Sequence, residues 1–452
     1  MGHIFFLVVL SCVAVVSIGL PWVGVVCGYL IVVLVPQAVW FWDFAGIRPA
    51  FWVLLPTAVG IGLGFLRGRF DLSILRSKRN VCILLLWICL TVSYFFGPYT
   101  QVSSQFRFEN ADEILGNTNK IMLLYFMACL CIDTEQKLKA LLYAVCGSAA
   151  YMIYWANSQY FSHHMMGGRL AGPTSLTGGV YQDENAFAML FVVAQPLLWY
   201  LGSSFKKPAY RWACWLLIPF GWHAVFLTAS RGGLVGLGVT TLLIAVRSKR
   251  RLLGLALIPA LAVAFIWQGG NLMRGRAETI GQYQTESSAA TRLQAWRAAS
   301  RMIADHPFIG VGLASFGPAF PHYSEDQPRE AHNTLFQITA ESGVFAGAMY
   351  ALVVVMYIVS LWRNANRLGG QDASPGGSSW LYLINEAALI AFCGLITCSL
   401  FLSLQEFEIF YCLNVFANAV LYLGRKSSES VASPLPLVIR KAPGLGTESM
   451  RP

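Results

Sequence analysis

The sequence predicts an all-α polytopic membrane protein with about twelve transmembrane helices and one large, mostly helical loop on the outer face. Three observations carry that prediction. The 452 residues are 56% hydrophobic and 12% charged, with a mean hydropathy of +0.57, a composition of membrane-embedded chains rather than of two or three soluble domains. The apolar residues fall into thirteen segments joined by polar connections. Basic residues gather in some of those connections and not in others, which orients the chain by the positive-inside rule.

In order, the apolar segments run 4–20, 22–42, 50–66, 81–97, 119–132, 138–157, 185–202, 212–229, 232–246, 252–267, 332–361, 382–403 and 408–424. The first has the length of a signal-peptide core. It lacks a basic start and a cleavage site, and another apolar run follows at once, so it is expected to stay in the mature protein. Arg67, Arg69, Arg76, Lys78 and Arg79, then Lys206, Lys207 and Arg211, then Arg247, Lys249, Arg250 and Arg251 mark 67–80, 203–211 and 247–251 as inner loops, together with 362–380. The loops 98–118, 158–183 and 268–331 and the turn at Ser230-Arg231 then face outward. Loop 268–331 has six arginines against six acids, so it carries no inward bias. Three segments precede the first inner loop. Either the N-terminus lies outside, or Pro21 joins two partial helices into one crossing; the second reading is preferred and gives twelve spans with both ends inside. The chain thus divides into an N-terminal bundle (1–267), a periplasmic loop (268–331), C-terminal spans (332–424) and a Ser-, Pro- and Gly-rich tail (425–452) expected to be disordered in the cytoplasm. The stretch GGQDASPGGSS at 369–379 reads as an inner linker.

The net charge of +10 could indicate nucleic acid, but its placement in short inner loops argues against such a partner. Eleven cysteines, from Cys12 to Cys412, all fall in apolar segments and act as small apolar side chains. No Cys/His spacing fits zinc, so no metal and no cofactor are expected.

Chemistry concentrates between Thr291 and Gly343, a polar exception in an apolar chain. Leu293, Trp296, Ala299 and Ile303 recur at helical spacing, Pro307 stops that helix, and Gly310 and Gly312 open a turn. His332 and Asn333 follow at the start of an apolar helix, where an imidazole could accept a proton or merely cap the helix. Arg231 stands between two apolar segments, a costly place for a charge. Gly232 and Gly233 beside it would let a phosphate approach, although a snorkelling arginine in a tight turn explains the same pattern. Arg292 lies about opposite Arg301 on the helical wheel, so the two cannot share one ligand, and Arg297 and Arg301 read as solvated or headgroup contacts. Asp183, Glu184 and Asn185 begin a helix, which fits an N-terminal cap as well as a substrate contact. Glu406 and Glu408 fit a short turn better than a metal site. His163, His164, His306 and His322 have no converging acid or thiol.

These residues also carry a resemblance. The run R-L-Q-A-W-R…D-H-P-F-I-G-V-G-L-A-S-F…H-N-T-L-F-Q-I-T-A-E-S-G resembles the large outer loop and following helix of bacterial O-antigen ligases, which share a superfamily with O-antigen polymerases and protein O-oligosaccharyltransferases. G-G-R-L-A-G-P-T-S…D-E-N-A-F-A at 167–188 is similar to a segment of exosortase-associated ligase-like proteins, with Glu184 where that segment has Asn. T-A-S-R-G-G at 228–233 is a third block. The resemblance implies a GT-C-like glycosyltransferase of a Gram-negative inner membrane. It would move O-antigen from undecaprenyl diphosphate to lipid A–core, with inversion and without a metal. It also implies roles: His332 activates the acceptor, and Arg292, with Arg231 and Arg169, binds the donor diphosphate through guanidinium forks. Asp183, Asn185 and Asn333 become possible substrate contacts. A polymerase or a protein-glycosylating ligase shares all three blocks. A lipid-linked glycan flippase is the alternative of another class, but transporters place ionisable groups in mid-membrane, whereas these arginines gather at the outer boundary.

Overall fold

The computed structural model describes residues 2–44, 47–106, 108, 110–164, 168–173, 180–270, 273–275, 287–371, 379–403 and 407–432. Glu406, linker residues 372–378 and the tail from 433 lie outside the described residues. The long helices are α1 (Gly2–Gly19), α2 (Pro21–Leu34), α3 (Pro49–Leu66), α4 (Lys78–Phe96), α5 (Ala111–Cys131), α6 (Glu135–Phe161), α7 (Glu184–Ser204), α8 (Pro208–Thr228), α9 (Arg231–Arg247), α10 (Arg251–Gln268), α11 (Ser287–Asp305), α12 (Thr334–Gln371), α13 (Ser379–Ser399) and α14 (Glu408–Ala432). No strand occurs among the described residues. The protein is an all-α, multi-pass membrane protein. Among the described residues, nine helices are long and apolar enough to cross a membrane: α1, α3 to α7, α10, α12 and α13. The shorter α2, and α8, α9 and α14, pack among them.

Helix starts follow local chemistry. Proline opens α2, α3 and α8, where its missing N–H costs nothing. Ser77, Asn110, Thr134, Asp183 and Ser230 cap α4, α5, α6, α7 and α9 through side-chain oxygens, each relieving an orphan donor of the first turn.

The N-terminus departs from expectation. α1 and α2 do not join into one crossing; they form an antiparallel hairpin. His3 at the start of α1 bonds the carbonyl of Asp43 beyond α2 at 2.7 Å, and Phe6 packs on Trp40 and Phe44. Both helices lie along α3, and Leu10, Ile31 and Val53 share one small core. Leu20 is the single non-helical residue between them. Proline cannot donate the hydrogen bond that would continue α1, so the chain turns back where the sequence reading let it run on.

α7 is the axis of the bundle: every residue from Ala186 to Gly202 is buried, against α8, α9 and α13. Small residues permit the close approach that holds membrane helices together. Gly233 faces Ala188 and Val225, and Gly236 faces Cys398 and Val192. α10 is the opposite case, packing on α9 and α8 with only 6% of its span buried.

At the end assigned to the outside by charge, α11 packs on α12 through a separate core of Ala295, Ala298, Ala299, Met302, Val311, Phe316, Phe320 and Ala340. The apolar face is therefore rotated from the expected stripe: Ala299 is buried, Trp296 and Ile303 partly so, while Leu293 is exposed. α12 breaks at Gly343, whose φ of +85° lies where only glycine is at ease. The short first limb, residues 334–342, folds back so that Thr339 touches Gly347.

Candidate active site

His332 stands just before α12 with φ +48°, a left-handed conformation that a non-glycine residue adopts only when its surroundings fix it. Those surroundings are the chain between α13 and α14. The His332 N–H donates to Ser403 Oγ at 3.0 Å, Asn333 Nδ2 to the carbonyl of Leu400 at 3.3 Å and Thr334 Oγ1 to that of Leu402 at 2.8 Å. Trp296 of α11 closes the other side: its indole N–H donates to the carbonyl of Ala331 at 2.9 Å, and its ring stacks on Phe336. Burial holds the His332 imidazole below its ordinary pKa, with the Arg292 charge as the next cause and Arg329 acting the same way; Asp183 opposes them. A neutral, partly exposed imidazole is a proton acceptor at ordinary pH.

Arg292 reaches this place from α11, its guanidinium carbon 5.9 Å from the centre of the Phe401 ring. Phe401 also lies against Gly232, so one aromatic ring joins the start of α9, which carries Arg231, to Arg292. Arg231 is the first residue of α9 and half-buried. The turn before it is tight because Ala229 is left-handed at φ +53° and Ser230 caps the helix by accepting from Gly233 N–H at 3.1 Å.

The block at 167–188 docks on the same turn. Ser230 Oγ donates to Asn185 Oδ1 at 2.7 Å, and the Leu170 N–H donates to the carbonyl of Leu227 at 2.9 Å. Arg169 Nε donates to the carbonyl of Thr228 at 3.3 Å, and its guanidinium meets Glu184 at 3.4 Å. Arg169, Asp183, Asn185 and Arg231 thus belong to one cluster, and Arg292 and His332 to a second, adjoining through Phe401 and through the field between Asp183 and His332.

Several expected roles take a different shape. Gly232 and Gly233 do not open room for a phosphate, because Phe401, Ala188 and Val225 occupy the space in front of them; they serve helix packing. Asp183 is a helix cap, accepting from the Asn185 and Ala186 N–H groups at 2.7 and 2.9 Å. Asn333 caps α12, accepting from Phe336 N–H at 3.1 Å while its amide nitrogen holds Leu400. Glu184 has become the partner of Arg169. Arg301 is exposed, as a solvated residue would be, and also donates to the carbonyl of Tyr323 at 2.7 Å.

Sequence reasoning passed over Gln337 and Glu341, both buried. The Glu341 carboxylate accepts from Ala314 N–H at 3.1 Å, Phe316 N–H at 3.0 Å and Gln337 Nε2 at 2.7 Å. Their signal was a polar pair at i, i+4 in a limb that is otherwise apolar on that face.

Fold and site together define a class: a multi-pass membrane protein with a histidine and several arginines at one rim of the bundle and no comparable cluster in mid-span among the described residues. Residues 212–351 match the family model described as O-antigen ligase. That segment runs from α8 into α12 and includes Arg231, Arg292 and His332; over it the chain is similar to the O-antigen ligase family, whose members are glycosyltransferase-like enzymes acting on lipid-linked glycans. No curated protein matches the chain.

Proposed function

We propose that this protein is an O-antigen ligase of the GT-C-like type, acting on the periplasmic side of a Gram-negative inner membrane. It transfers O-antigen polysaccharide from undecaprenyl diphosphate to lipid A–core. The observation that supports this reading most is that Phe401 lies against both Arg292 and the Arg231 turn while the Arg292 charge acts on His332, and that Arg231, Arg292 and His332 all fall inside the segment matched to the family. In the reaction, an acceptor sugar hydroxyl gives its proton to the His332 imidazole. Its oxygen attacks the anomeric carbon from the face opposite the diphosphate, the bond to the diphosphate oxygen breaks, and the configuration inverts. The leaving undecaprenyl diphosphate carries the electron pair away, and arginine forks stabilise the charge that develops on it, so the transfer is metal-independent. The proton on His332 then passes to water.

An open groove of about 430 Å³ between α8 and α10, lined by Pro219, Trp222, Pro259, Val263 and Trp267, supports a resting place for the prenyl chain. Prolines in both walls remove backbone hydrogen bonds that would otherwise straighten the helices.

The test is transfer in proteoliposomes from purified undecaprenyl diphosphate–glycan to lipid A–core, in the presence and absence of EDTA. Lipid A–core product that is insensitive to EDTA supports the reading. Elongation of the donor glycan, or glycosylation of a protein acceptor in parallel arms, would reassign the enzyme to polymerase or protein ligase. Movement of donor across the bilayer without transfer would make it a transporter.

A further inference from the structure

Behind His332 runs one continuous chain of hydrogen bonds, partly buried at Ser403 and buried at Gln337 and Glu341. His332 N–H donates to Ser403 Oγ at 3.0 Å, Ser403 Oγ donates to Gln337 Oε1 at 3.2 Å, and Gln337 Oε1 also accepts from Ala331 N–H at 2.9 Å. The other end of the Gln337 amide donates to Glu341 Oε1 at 2.7 Å. Glu341 in turn grips the N–H groups of Ala314 and Phe316. The amide of Gln337 has only one orientation that works: its oxygen faces a backbone N–H, which can only donate, and its nitrogen faces a carboxylate oxygen. Both residues are nearly inaccessible, at 4% and 1% exposure, so neither meets a substrate directly.

Resting on the reading of His332 as the general base, we infer that Gln337, anchored by Glu341, is the positioning residue that aims the His332 imidazole at the acceptor hydroxyl. Gln337 holds Ala331 directly and His332 through Ser403, so it fixes the residues on which the left-handed turn at His332 depends. Glu341 ties the same device to the 314–316 turn of the outer loop. A turn of this kind relaxes towards commoner backbone angles once its bonds are removed, and an imidazole displaced by about an ångström loses on the order of 10²-fold in rate.

The charged groups facing His332 are Arg292 from α11, Arg329 from the loop before it and Asp183 from the start of α7. A loosened His332 moves out of its burial and away from Arg292, so its pKa rises towards the ordinary value. Because only the neutral imidazole accepts a proton, the acidic limb of the rate profile then moves to higher pH.

The experiment uses the full chain in proteoliposomes, comparing wild type with Gln337→Met (neutral, similar in length), Ser403→Ala and His332→Ala. Each is measured for transfer across pH and for donor KM. The expected result for Gln337→Met is a kcat roughly 10- to 100-fold lower, a donor KM unchanged within about twofold, and an acidic limb displaced upward. Ser403→Ala should move the same way by less, and it carries the test if Gln337→Met does not fold. Wild-type kcat and limb in the variants would overturn the positioning role. So would a uniform loss at every pH with the limb unmoved, which is what mere destabilisation produces. If His332→Ala itself transfers normally, it is the general-base reading that fails, and the inference falls with it.

Discussion

The two ends of the bundle each hold an arginine–glutamate pair, and the pairs are built differently. At the end that the basic loops assign to the inside, Arg247 meets Glu386 through two bonds of 2.6 and 2.7 Å. The carboxylate is fully buried, the arginine side chain is 15% exposed, and the guanidinium lies 4.3 Å from the centre of the Trp362 ring. At the outer end Arg169 meets Glu184 through one contact of 3.4 Å, with both side chains about a quarter exposed. The inner pair is closed to any third party and serves the fold, because taking away one member strands a charge in low dielectric. The outer pair is loose and solvated, worth little by itself, and a diphosphate could take the place of Glu184. The difference separates charges that hold helices from charges available to a substrate.

The strongest test of that separation is His332→Ala, which should lower transfer by about 10²–10⁴ while leaving affinity for the undecaprenyl diphosphate donor intact; parallel loss of donor binding would make His332 a phosphate ligand. Glu386→Ala should do the reverse. Stability in detergent should fall by about 3–5 kcal/mol, read as a lower midpoint of thermal unfolding, with unchanged transfer per folded molecule. Arg292→Ala should weaken donor binding and turnover together, by roughly 10- to 100-fold as expected for charged hydrogen bonds. Arg292→Lys should recover little, since an ammonium lacks the fork. The smallest effect belongs to Asp183→Asn. Asparagine still caps α7, but removing the acid's upward pull on His332 should move the acidic limb of the rate profile to lower pH, and an upward shift would contradict the arrangement.

The sequence disclosed what periodicity and charge control. Segments, inner loops and the tight turn at Ser230 were legible because hydropathy and basic residues are one-dimensional signals. Arg231 drew attention because a charge costs most beside lipid, whereas Arg292 and His332 drew it mainly through the motifs that resemble the ligase loop. What hid was whatever depends on a partner far along the chain. Gln337 and Glu341 look like ordinary helix residues until Ser403 and Ala314 arrive next to them. Glu184 looked like a misfit until Arg169 faced it. The hairpin of α1 and α2 turned on whether Pro21 bends or breaks a helix, and only the packing of both helices on α3 decides that. Leu293 misled because a helical wheel gives a stripe's period but not which neighbour it meets.

The break at Gly343 has a consequence for traffic. The carbonyls of Pro307 and Phe308 sit where a side chain at 343 would be. Val344 N–H donates to Pro307 at 2.7 Å, and Val311 and Gly312 N–H donate to Ala340 and Glu341 at 2.9 Å. Residues 307–316 and the first limb of α12 therefore form one stiff roof, and raising it would break each of these bonds along with the grip of Glu341. A roof of that kind does not swing open in each cycle. Reactants anchored in a bilayer would instead arrive and leave sideways, within the plane to which their lipid tails already confine them, and the pace of exchange would be set by lateral diffusion past α8 and α10.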